Sequence, residues 1–300
     1  MKTYIWKEYC CTYEKVPGNE SPALLLVHPI GVGLSKQFWS PFTEQWVRNS
    51  ETHSTIYNPD LLGCGGSDMP SQAYRPEDWA EQLAYFIEQV ANEPVVLVVQ
   101  GALLPVAVAL MANFEDAASQ VKGLVLSGPP AWRLMTTPTE PWKQSLAWRL
   151  FASPLGSAFY RYARREKFLR SFSEKQLFEH AAAVSEAWLS MLNKGSQAMA
   201  SRYAVFSFLA GFWRQDYAAA IAQIQQPVLV VMGDEASTID RKTEQRMNQM
   251  DDAQSQKRLQ DYMDHFPRAQ GVSIPGRNVL PYESTTEFIK AIAPFIKALR

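Results

Sequence analysis

The sequence predicts an α/β fold: a doubly wound, mostly parallel sheet with an inserted block of helices. Short apolar runs rich in Val and Leu alternate with helical patterns along the chain. This alternation is typical of parallel strands joined by helical crossovers. The alternation then stops, and a long stretch of helix-forming sequence without strand character follows. After this stretch the strand patterns resume. A helical block after one strand predicts a cap over the carboxyl ends of the strands.

The predicted strands are apolar runs bounded by turn-forming residues. They are Tyr4–Val16 (a hairpin), Ala23–Val27, Thr55–Tyr57, Val95–Val99, Gly123–Leu126, Val228–Met232 and Val272–Ile274. The predicted helices outside the inserted block are Leu34–Asn49, Pro76–Val90, Leu103–Asn113 and Thr285–Leu299. These elements divide the chain into a core, residues 1–130 and 223–300, and a helical cap, residues 131–222.

Composition narrows the classes of function. With 29 basic and 30 acidic residues the formal net charge is −1, which gives no electrostatic argument for a nucleic acid or an anionic membrane as partner. No apolar signal core is present near the N-terminus, so a cytoplasmic location is expected. The cysteines Cys10, Cys11 and Cys64 form no disulfide framework, and no metal-ligand spacing occurs. We therefore expect no metal and no cofactor.

The segment Val95–Asn113, VVLVVQGALLPVAVALMAN, lies at the centre of the predicted sheet. Its run Val95–Val99 is typical of a fully buried parallel strand, and the small residues that follow fit a sharp turn into a helix. The same stretch also satisfies a window scan for a membrane span. Gly101 and Pro105 in its middle, and the lack of a flanking Lys/Arg cluster, favour strand plus helix, so we expect no transmembrane span.

In a large class of α/β enzymes, a strand–turn–helix of this kind is the nucleophile elbow, which holds a reactive side chain at the apex of a strained turn. The apex here is Gly101. No Ser, Cys, Asp or Thr occurs between Val95 and Met111, so a shift of the alignment by a few residues supplies none. The elbow is therefore predicted to carry no nucleophile.

Three segments carry a resemblance to a known family: ALLLVHPIG, PDLLGCGGSDMP and PVVLVVQGALLPVAVAL. On these segments the chain resembles the α/β-hydrolase superfamily over nearly its full length, and PDLLGCGGSDMP is the most specific match. The resemblance implies a sheet of the α/β-hydrolase type with an inserted helical cap, and it implies hydrolase chemistry. The later segments PVLVVMGDEAS and GVSIPGRNVLPYES resemble those that carry the acid and the histidine in active members.

The chain departs from the family pattern at all three catalytic positions. Gly101 stands at the nucleophile, Ala236 at the acid and Arg277 at the base. Acyl transfer on this fold needs a nucleophile, a base that takes its proton and a carboxylate that orients the base. Because all three are replaced in register, the sequence predicts a degenerate triad.

Other residues near these positions are weaker candidates for catalysis. Glu235 and Asp240 lie near the missing acid, and His265 precedes the last strand as a candidate displaced base. Ser127 and Cys64 lie in strand-end loops without the elbow context that activates a weak nucleophile. We expect structural roles for Ser127 and Cys64.

An anion-accepting pocket is predicted to remain beside the elbow. The backbone amides of Ile30 and Ala102 form an oxyanion-like pair, because such a hole depends on the main chain rather than on side chains. His28 lies at the strand end beside this loop, and Arg277 is predicted to project towards the same cavity. Two amides and a guanidinium suit a carboxylate or phosphate group better than an ester undergoing cleavage.

Arg277 has a second interpretation. Its side chain is equally compatible with an outward orientation, or with a pairing to Glu283 or Asp234, since arginine is often merely paired. The sequence leaves both interpretations open.

The predicted cap is rich in aromatic and basic residues. Most of its aromatic residues are expected to pack between cap and core, and a subset to line an apolar pocket between lid and sheet. They include Trp132, Trp142, Trp148, Trp188, Phe206, Phe208, Phe212 and Trp213. A basic run, FYRYARREKFLR, is typical of a solvated helix face, and its interleaved aromatic residues also fit contact with an acidic partner.

The sequence favours a non-catalytic function. We expect a protein that binds a small apolar or amphiphilic ligand, or a protein partner on its cap. The alternative is an enzyme of hydrolase or lyase type that uses a non-standard or displaced group such as His28, His265 or Arg277. A hydrolase with its nucleophile elsewhere is the third hypothesis, and fold alone does not decide among the three.

Overall fold

The computed structural model describes residues 1–48, 53–237 and 254–300. Eight strands in these ranges form one sheet. They are β1 (Lys2–Trp6), β2 (Tyr9–Val16), β3 (Glu20–Val27), β4 (Ser54–Pro59), β5 (Val95–Gln100), β6 (Val121–Ser127), β7 (Val228–Gly233) and β8 (Ala269–Ile274).

The strand order across the sheet is β1-β2-β4-β3-β5-β6-β7-β8. The β1/β2 and β2/β4 pairs are antiparallel, whereas every other neighbouring pair is parallel. The predicted fold class, a mostly parallel sheet with helical crossovers, is therefore confirmed.

The described α-helices are numbered in chain order. They are α1 (Ser40–Arg48), α2 (Pro76–Tyr85), α3 (Leu104–Asn113), α4 (Glu115–Gln120), α5 (Trp132–Thr136), α6 (Pro141–Ala152), α7 (Pro154–Ala163), α8 (Glu166–Phe172), α9 (Glu186–Gly195), α10 (Arg202–Leu209), α11 (Ala218–Ala222), α12 (Gln254–His265), α13 (Leu280–Glu283) and α14 (Thr285–Ala298). Single 3₁₀ turns cover Lys36–Trp39, Gly101–Leu103, Ala181–Ala183 and Met199–Ser201, and π-helical turns cover Phe86–Ala91 and Ser173–Leu177.

The central strands are buried on both faces, which explains their continuous apolar runs. On β5, Val95, Leu97 and Val99 face one hydrophobic cluster together with residues of α2, α3 and α12. Val96 and Val98 face a second cluster together with residues of α1 and α14. Helices therefore cover both faces of the sheet, as a doubly wound fold requires.

Helix boundaries differ from the predicted ones where the backbone changes type. The helix predicted from Leu34 begins as a 3₁₀ turn at Lys36, because the Ser35 hydroxyl accepts a hydrogen bond from the Gln37 amide. Its predicted end, Asn49, lies outside the described residues. The helix predicted over Pro76–Val90 is α-helical to Tyr85 and continues as the π-helical turn that ends at Ala91.

We call residues 131–222 the cap segment. Between β6 and β7 every described element is helical, from α5 to α11, as the sequence predicts. The division of the chain into a core of residues 1–130 and 223–300 and a cap of residues 131–222 stays a prediction. No helix in the described part of the chain is both long enough and apolar enough to cross a bilayer.

Candidate functional site

The turn after β5 has the backbone form of an elbow with no side chain at its apex. Strand β5 ends at Gln100, a 3₁₀ turn covers Gly101–Leu103, and α3 follows. Gly101 has φ +60°, a conformation that glycine adopts freely and that strains other residues. A Cβ placed on Gly101 meets no heavy atom within 4 Å, its chain neighbours apart. The apex therefore faces open space.

Two buried oxygens without partners lie at the carboxyl ends of β5 and β6. Gln100 and Ser127 are register partners on these strands. The Gln100 Nε2 donates to the carbonyl of Asn278 (2.7 Å), but its Oε1 and the Ser127 Oγ have no hydrogen-bond partner among the described residues. Buried polar atoms without partners are uncommon in folded proteins and indicate a place where a water molecule or a ligand group completes the bonding.

The amides of Ile30 and Ala102 lie just beyond the carboxyl ends of strands β3 and β5. Strands β3 and β5 are parallel neighbours, and Val27 pairs with Val99 just before the two loops begin. Within residues 1–48, 53–237 and 254–300, neither N–H donates a hydrogen bond to a protein acceptor. Both amides therefore keep a donor for another molecule, as an oxyanion hole does.

His28 links two loops through both of its ring nitrogens. Its Nδ1–H donates to the Pro29 carbonyl (2.9 Å), and its Nε2 accepts from the Leu61 amide (3.1 Å). Burial lowers the pKa of His28, so the ring is neutral with the proton on Nδ1. The predicted site residue is thus in place at the strand end, but both nitrogens serve the fold.

The loop PDLLGCGGSDMP is organised around the buried carboxylate of Asp60. This carboxylate accepts hydrogen bonds from the backbone amide and Nζ of Lys36 (2.8 and 2.5 Å), from the Thr12 hydroxyl (2.9 Å) and from the Gly66 amide (2.9 Å). Burial raises the pKa of Asp60, but the Lys36 ammonium and the hydrogen bonds outweigh it and hold the pKa below its usual range. Asp60, which lies in the segment with the most specific resemblance, therefore stabilises this loop through its hydrogen bonds.

The predicted acid position contains no acidic side chain. Ala236 is buried and belongs to the cluster beneath α2 and α3. Asp234 and Glu235, its neighbours, are both exposed, and the Asp234 Oδ1 accepts a hydrogen bond from the Ser273 hydroxyl (2.5 Å). Asp240, the other candidate near this position, lies outside the described residues.

The loop at the predicted base position is attached to the cap segment. The guanidinium of Arg277 donates to the Lys175 carbonyl (3.2 Å), and Asn278 bonds the carbonyls of Gln176 and Leu177 through its side-chain and backbone N–H groups (2.7 and 3.1 Å). The Nε of Arg277 is buried and has no partner among the described residues. The Arg277 side chain is thus held near the cap, with its buried Nε–H unused.

The predicted pairing of Arg277 with a carboxylate takes a different form. Glu283 accepts from the backbone amide of Arg277 (2.9 Å), not from its guanidinium, and its other oxygen accepts from the Glu179 amide (2.6 Å). Asp234 bonds Ser273 instead. The guanidinium makes no ion pair within the described part of the chain.

The other candidate catalytic groups are placed for structural roles. His265 is exposed on α12, donates from Nδ1 to the Asp261 carbonyl (2.6 Å) and stacks on Trp132 at a centroid distance of 4.0 Å. Cys64 and Ser127 are both buried, and burial raises the pKa of the Cys64 thiol. A buried neutral thiol is a poor nucleophile.

The cap aromatics divide between core and solvent. Trp188 is fully buried and donates from Nε1 to the Ser173 hydroxyl (2.8 Å). Trp142, by contrast, is 63% exposed and is not among the aromatic residues that pack against the core. Helix periodicity alone does not reveal which side of an isolated helix is covered.

Two surface cavities, of about 340 and 350 Å³, lie apart from Ile30, Gly101, Ala102 and Arg277. Within the described residues, no group of three or more His, Cys, Asp or Glu side chains is arranged to hold a metal ion.

Comparison with known proteins defines the family. The profile of the Alpha/beta hydrolase family matches residues 24–291, and the chain belongs to this family. No curated protein sequence matches it.

Solved structures with the same fold include enzymes of several activities. A thermophilic esterase from Thermogutta terrifontis is 18% identical, with 97% of this chain and 94% of that chain covered at a TM-score of 0.70. The enol-lactonase from Burkholderia xenovorans LB400 is 14% identical, with 99% of this chain and 100% of that chain covered at a TM-score of 0.71. A bromoperoxidase from Bacillus anthracis is 16% identical, with 96% of each chain covered at 0.68. At these identities the likeness establishes the fold alone.

Proposed function

We propose that this member of the Alpha/beta hydrolase family lacks serine-hydrolase activity and binds a small amphiphilic ligand at the elbow. The observation that carries the proposal is Gly101: the apex keeps φ +60° and faces open space, but it has no side chain. The space that a nucleophile fills in an active elbow is available to an atom of the ligand.

The backbone supports an anionic or strongly polar head group. The free N–H groups of Ile30 and Ala102 follow the carboxyl ends of two neighbouring parallel strands, β3 and β5. Unpaired amide N–H groups donate hydrogen bonds to a carboxylate or phosphate oxygen without any proton transfer. An apolar tail suits this architecture because its ligand pockets are mostly apolar.

The base position supports binding over catalysis. A guanidinium has no acceptor lone pair and stays protonated in proteins, so Arg277 cannot take a proton from a hydroxyl. Its bond to Lys175 and the attachment of Asn278 to the cap hold this loop in place. The unused Nε–H of Arg277 adds a cationic donor to the same loop.

The alternative of a displaced catalytic group finds little support in the described residues. Both nitrogens of His28 are engaged by backbone groups, and His265 is an exposed residue stacked on Trp132. Cys64 and Ser127 are buried. None of these four side chains has the exposed, paired arrangement that activates a nucleophile or a base.

The test is calorimetric titration with dodecanoate, an amphiphile with a carboxylate head, and with dodecanol, which has the same tail without the charge. Two variants are compared, Gly101→Leu and Gly101→Ala. Both place a Cβ at φ +60°, but only leucine fills the space above the apex. We expect wild type and Gly101→Ala to bind dodecanoate more tightly than dodecanol, and Gly101→Leu to bind at least about tenfold more weakly. Equal affinity of the two variants would contradict the proposal.

A further inference from the structure

The largest group of exposed apolar side chains lies in the cap segment. Among the described residues, large hydrophobic side chains that are exposed occur mainly between residues 142 and 172. We call six of them the hairpin surface: Trp142, Leu146 and Leu150 on α6, and Leu155, Phe159 and Tyr162 on α7. They are 44 to 70% exposed. Single exposed apolar residues are ordinary, but a group of this size marks an interaction surface.

The spacing of these residues gives each helix an apolar side that faces solvent. On α6 they recur at every fourth position, and on α7 at intervals of four and three, so each set lies along one side of its helix. The other side of α6 faces the protein, since Gln144 is buried and donates to the Gly211 carbonyl (3.0 Å). On α7 the buried Tyr160 bonds Ser201 (2.7 Å). The apolar sides of both helices are thus largely exposed, although the Phe159 ring also lies near Phe206 and the Tyr162 ring near Phe168.

The surroundings of the hairpin surface are basic. Residues 141–172 contain seven Lys and Arg and one acidic residue, Glu166, although the whole chain has a net charge of −1. Arg149, Arg161, Arg165 and Lys167 are exposed, and none makes an ion pair within the described residues. A local excess of unpaired positive charge is complementary to an anionic surface.

We propose that the α6–α7 hairpin docks onto the surface of an anionic lipid bilayer. Trp, Tyr, Phe and Leu side chains flanked by Arg and Lys are the composition that enters the boundary between head groups and acyl chains. A bilayer accepts protruding side chains from two helices without a matching shape, whereas a protein partner packs such side chains into pockets of its own. The basic residues then contact lipid phosphates.

This docking does not depend on ligand binding at the elbow. Its residues lie on the outer sides of α6 and α7, whereas Ile30, Gly101 and Ala102 lie in the loops after β3 and β5. Failure of dodecanoate binding and failure of vesicle binding are therefore separate results.

The experiment is co-sedimentation of the full chain with vesicles of phosphatidylcholine, alone or mixed with phosphatidylglycerol. We expect wild type to sediment with the mixed vesicles at least about tenfold more than with phosphatidylcholine alone. The variant Leu146→Ser/Leu155→Ser is expected to lose about tenfold of this binding. Its matched control is Ile5→Ser/Val47→Ser, which removes two side chains that are 57 and 59% exposed outside the cap segment and keeps wild-type binding.

A second pair of variants tests the charges. Replacement of Arg149, Arg161, Arg165 and Lys167 by Gln is expected to weaken binding to the mixed vesicles by at least about tenfold. The matched control replaces the exposed Lys2, Lys122, Lys290 and Lys297 by Gln and keeps the net charge equal. Thermal unfolding of every variant by circular dichroism verifies folding.

Three results would overturn the proposal. Wild type that stays in solution with both kinds of vesicle is one, and equal vesicle binding by test and control variants is another. The third is a wild-type dimer in light scattering that Leu146→Ser/Leu155→Ser converts to a monomer while no vesicle is bound, because the occupant of the surface is then a second copy of this chain.

Discussion

At the scale of single residues, Gly101 combines a left-handed backbone with an open apex. In an active elbow the nucleophile itself holds this conformation, at a cost of about 1–3 kcal/mol. Glycine holds it without that strain. The shape of the turn therefore persists without the reactive group, which is why we interpret it as a binding element.

Restoring the nucleophile alone is predicted not to restore catalysis. Gly101→Ser places a hydroxyl in open space, but Arg277 cannot accept its proton and Ala236 provides no carboxylate to orient a base. We expect the kcat/KM of Gly101→Ser for p-nitrophenyl acetate to equal that of wild type within about threefold. A rise of about a hundredfold or more would show that another residue serves as the base.

His28 is predicted to make stability depend on pH. Its pKa in the folded protein lies below the ordinary value of 6.5, so the unfolded chain binds the proton first as the pH falls. The free energy of unfolding is then fully retained above about pH 6.5 and declines below it. Urea unfolding of wild type between pH 7.5 and 5 is expected to show this decline, and His28→Asn is expected to flatten it.

At the scale of elements, the central strands were predictable because burial on both faces leaves a continuous apolar run, as on β5. Strand β8 begins at Ala269, earlier than predicted. Its first residues were missed because β8 lies at the edge of the sheet and these residues are largely exposed, so they form no apolar run. Helix α4 was not predicted, since only Ala117 and Ala118 of its six residues are buried and leave no apolar stripe.

The loop that contains Asp60 depends on a glycine for a steric reason. A Cβ on Gly65 lies 2.2 Å from the Asp60 Oδ1, and the backbone there has φ +57°. Gly128 has nearly the same backbone angle, φ +52°, but its Cβ meets nothing closer than 3.6 Å. The two glycines share the conformation and differ in crowding.

Gly65→Ala is therefore predicted to destabilise the protein more than Gly128→Ala does. Both variants strain the backbone by about 1–3 kcal/mol, but only Gly65→Ala also displaces the buried carboxylate from its partners. We expect the free energy of unfolding in urea to fall by at least about 2 kcal/mol more for Gly65→Ala. Equal losses would mean that Asp60 moves aside without consequence.

At the scale of the whole molecule, the sequence predicted the sheet, the elbow and the residues at its apex, because strand burial and the turn are local features. It did not predict the hairpin surface. The basic run FYRYARREKFLR is visible in the sequence, but the exposed apolar side chains beside it are not. The exposure of Trp142 follows from which helices cover α6, and the apolar pattern of α6 alone does not encode that arrangement.

The sequence predicts which residues follow the strands at the candidate site, but it does not predict the contacts that these residues make. Gly101 follows β5, Ala236 follows β7 and Arg277 follows β8, and their catalytic positions stay a prediction. The attachment of the Arg277 loop to Lys175 joins residues 102 positions apart in sequence. The ring of His28 likewise bonds Leu61, 33 positions away. Such long-range contacts depend on how the loops meet beyond the carboxyl ends of the strands, and no local sequence pattern predicts them.

The central claim is that the elbow carries no reactive nucleophile, and intact-mass spectrometry after incubation with a fluorophosphonate tests it most directly. An active serine hydrolase treated in parallel shows that the reagent works. We predict that the mass of the wild-type protein remains unchanged. A stoichiometric single adduct that disappears when one serine is replaced by alanine would contradict the claim and return the protein to serine-hydrolase chemistry.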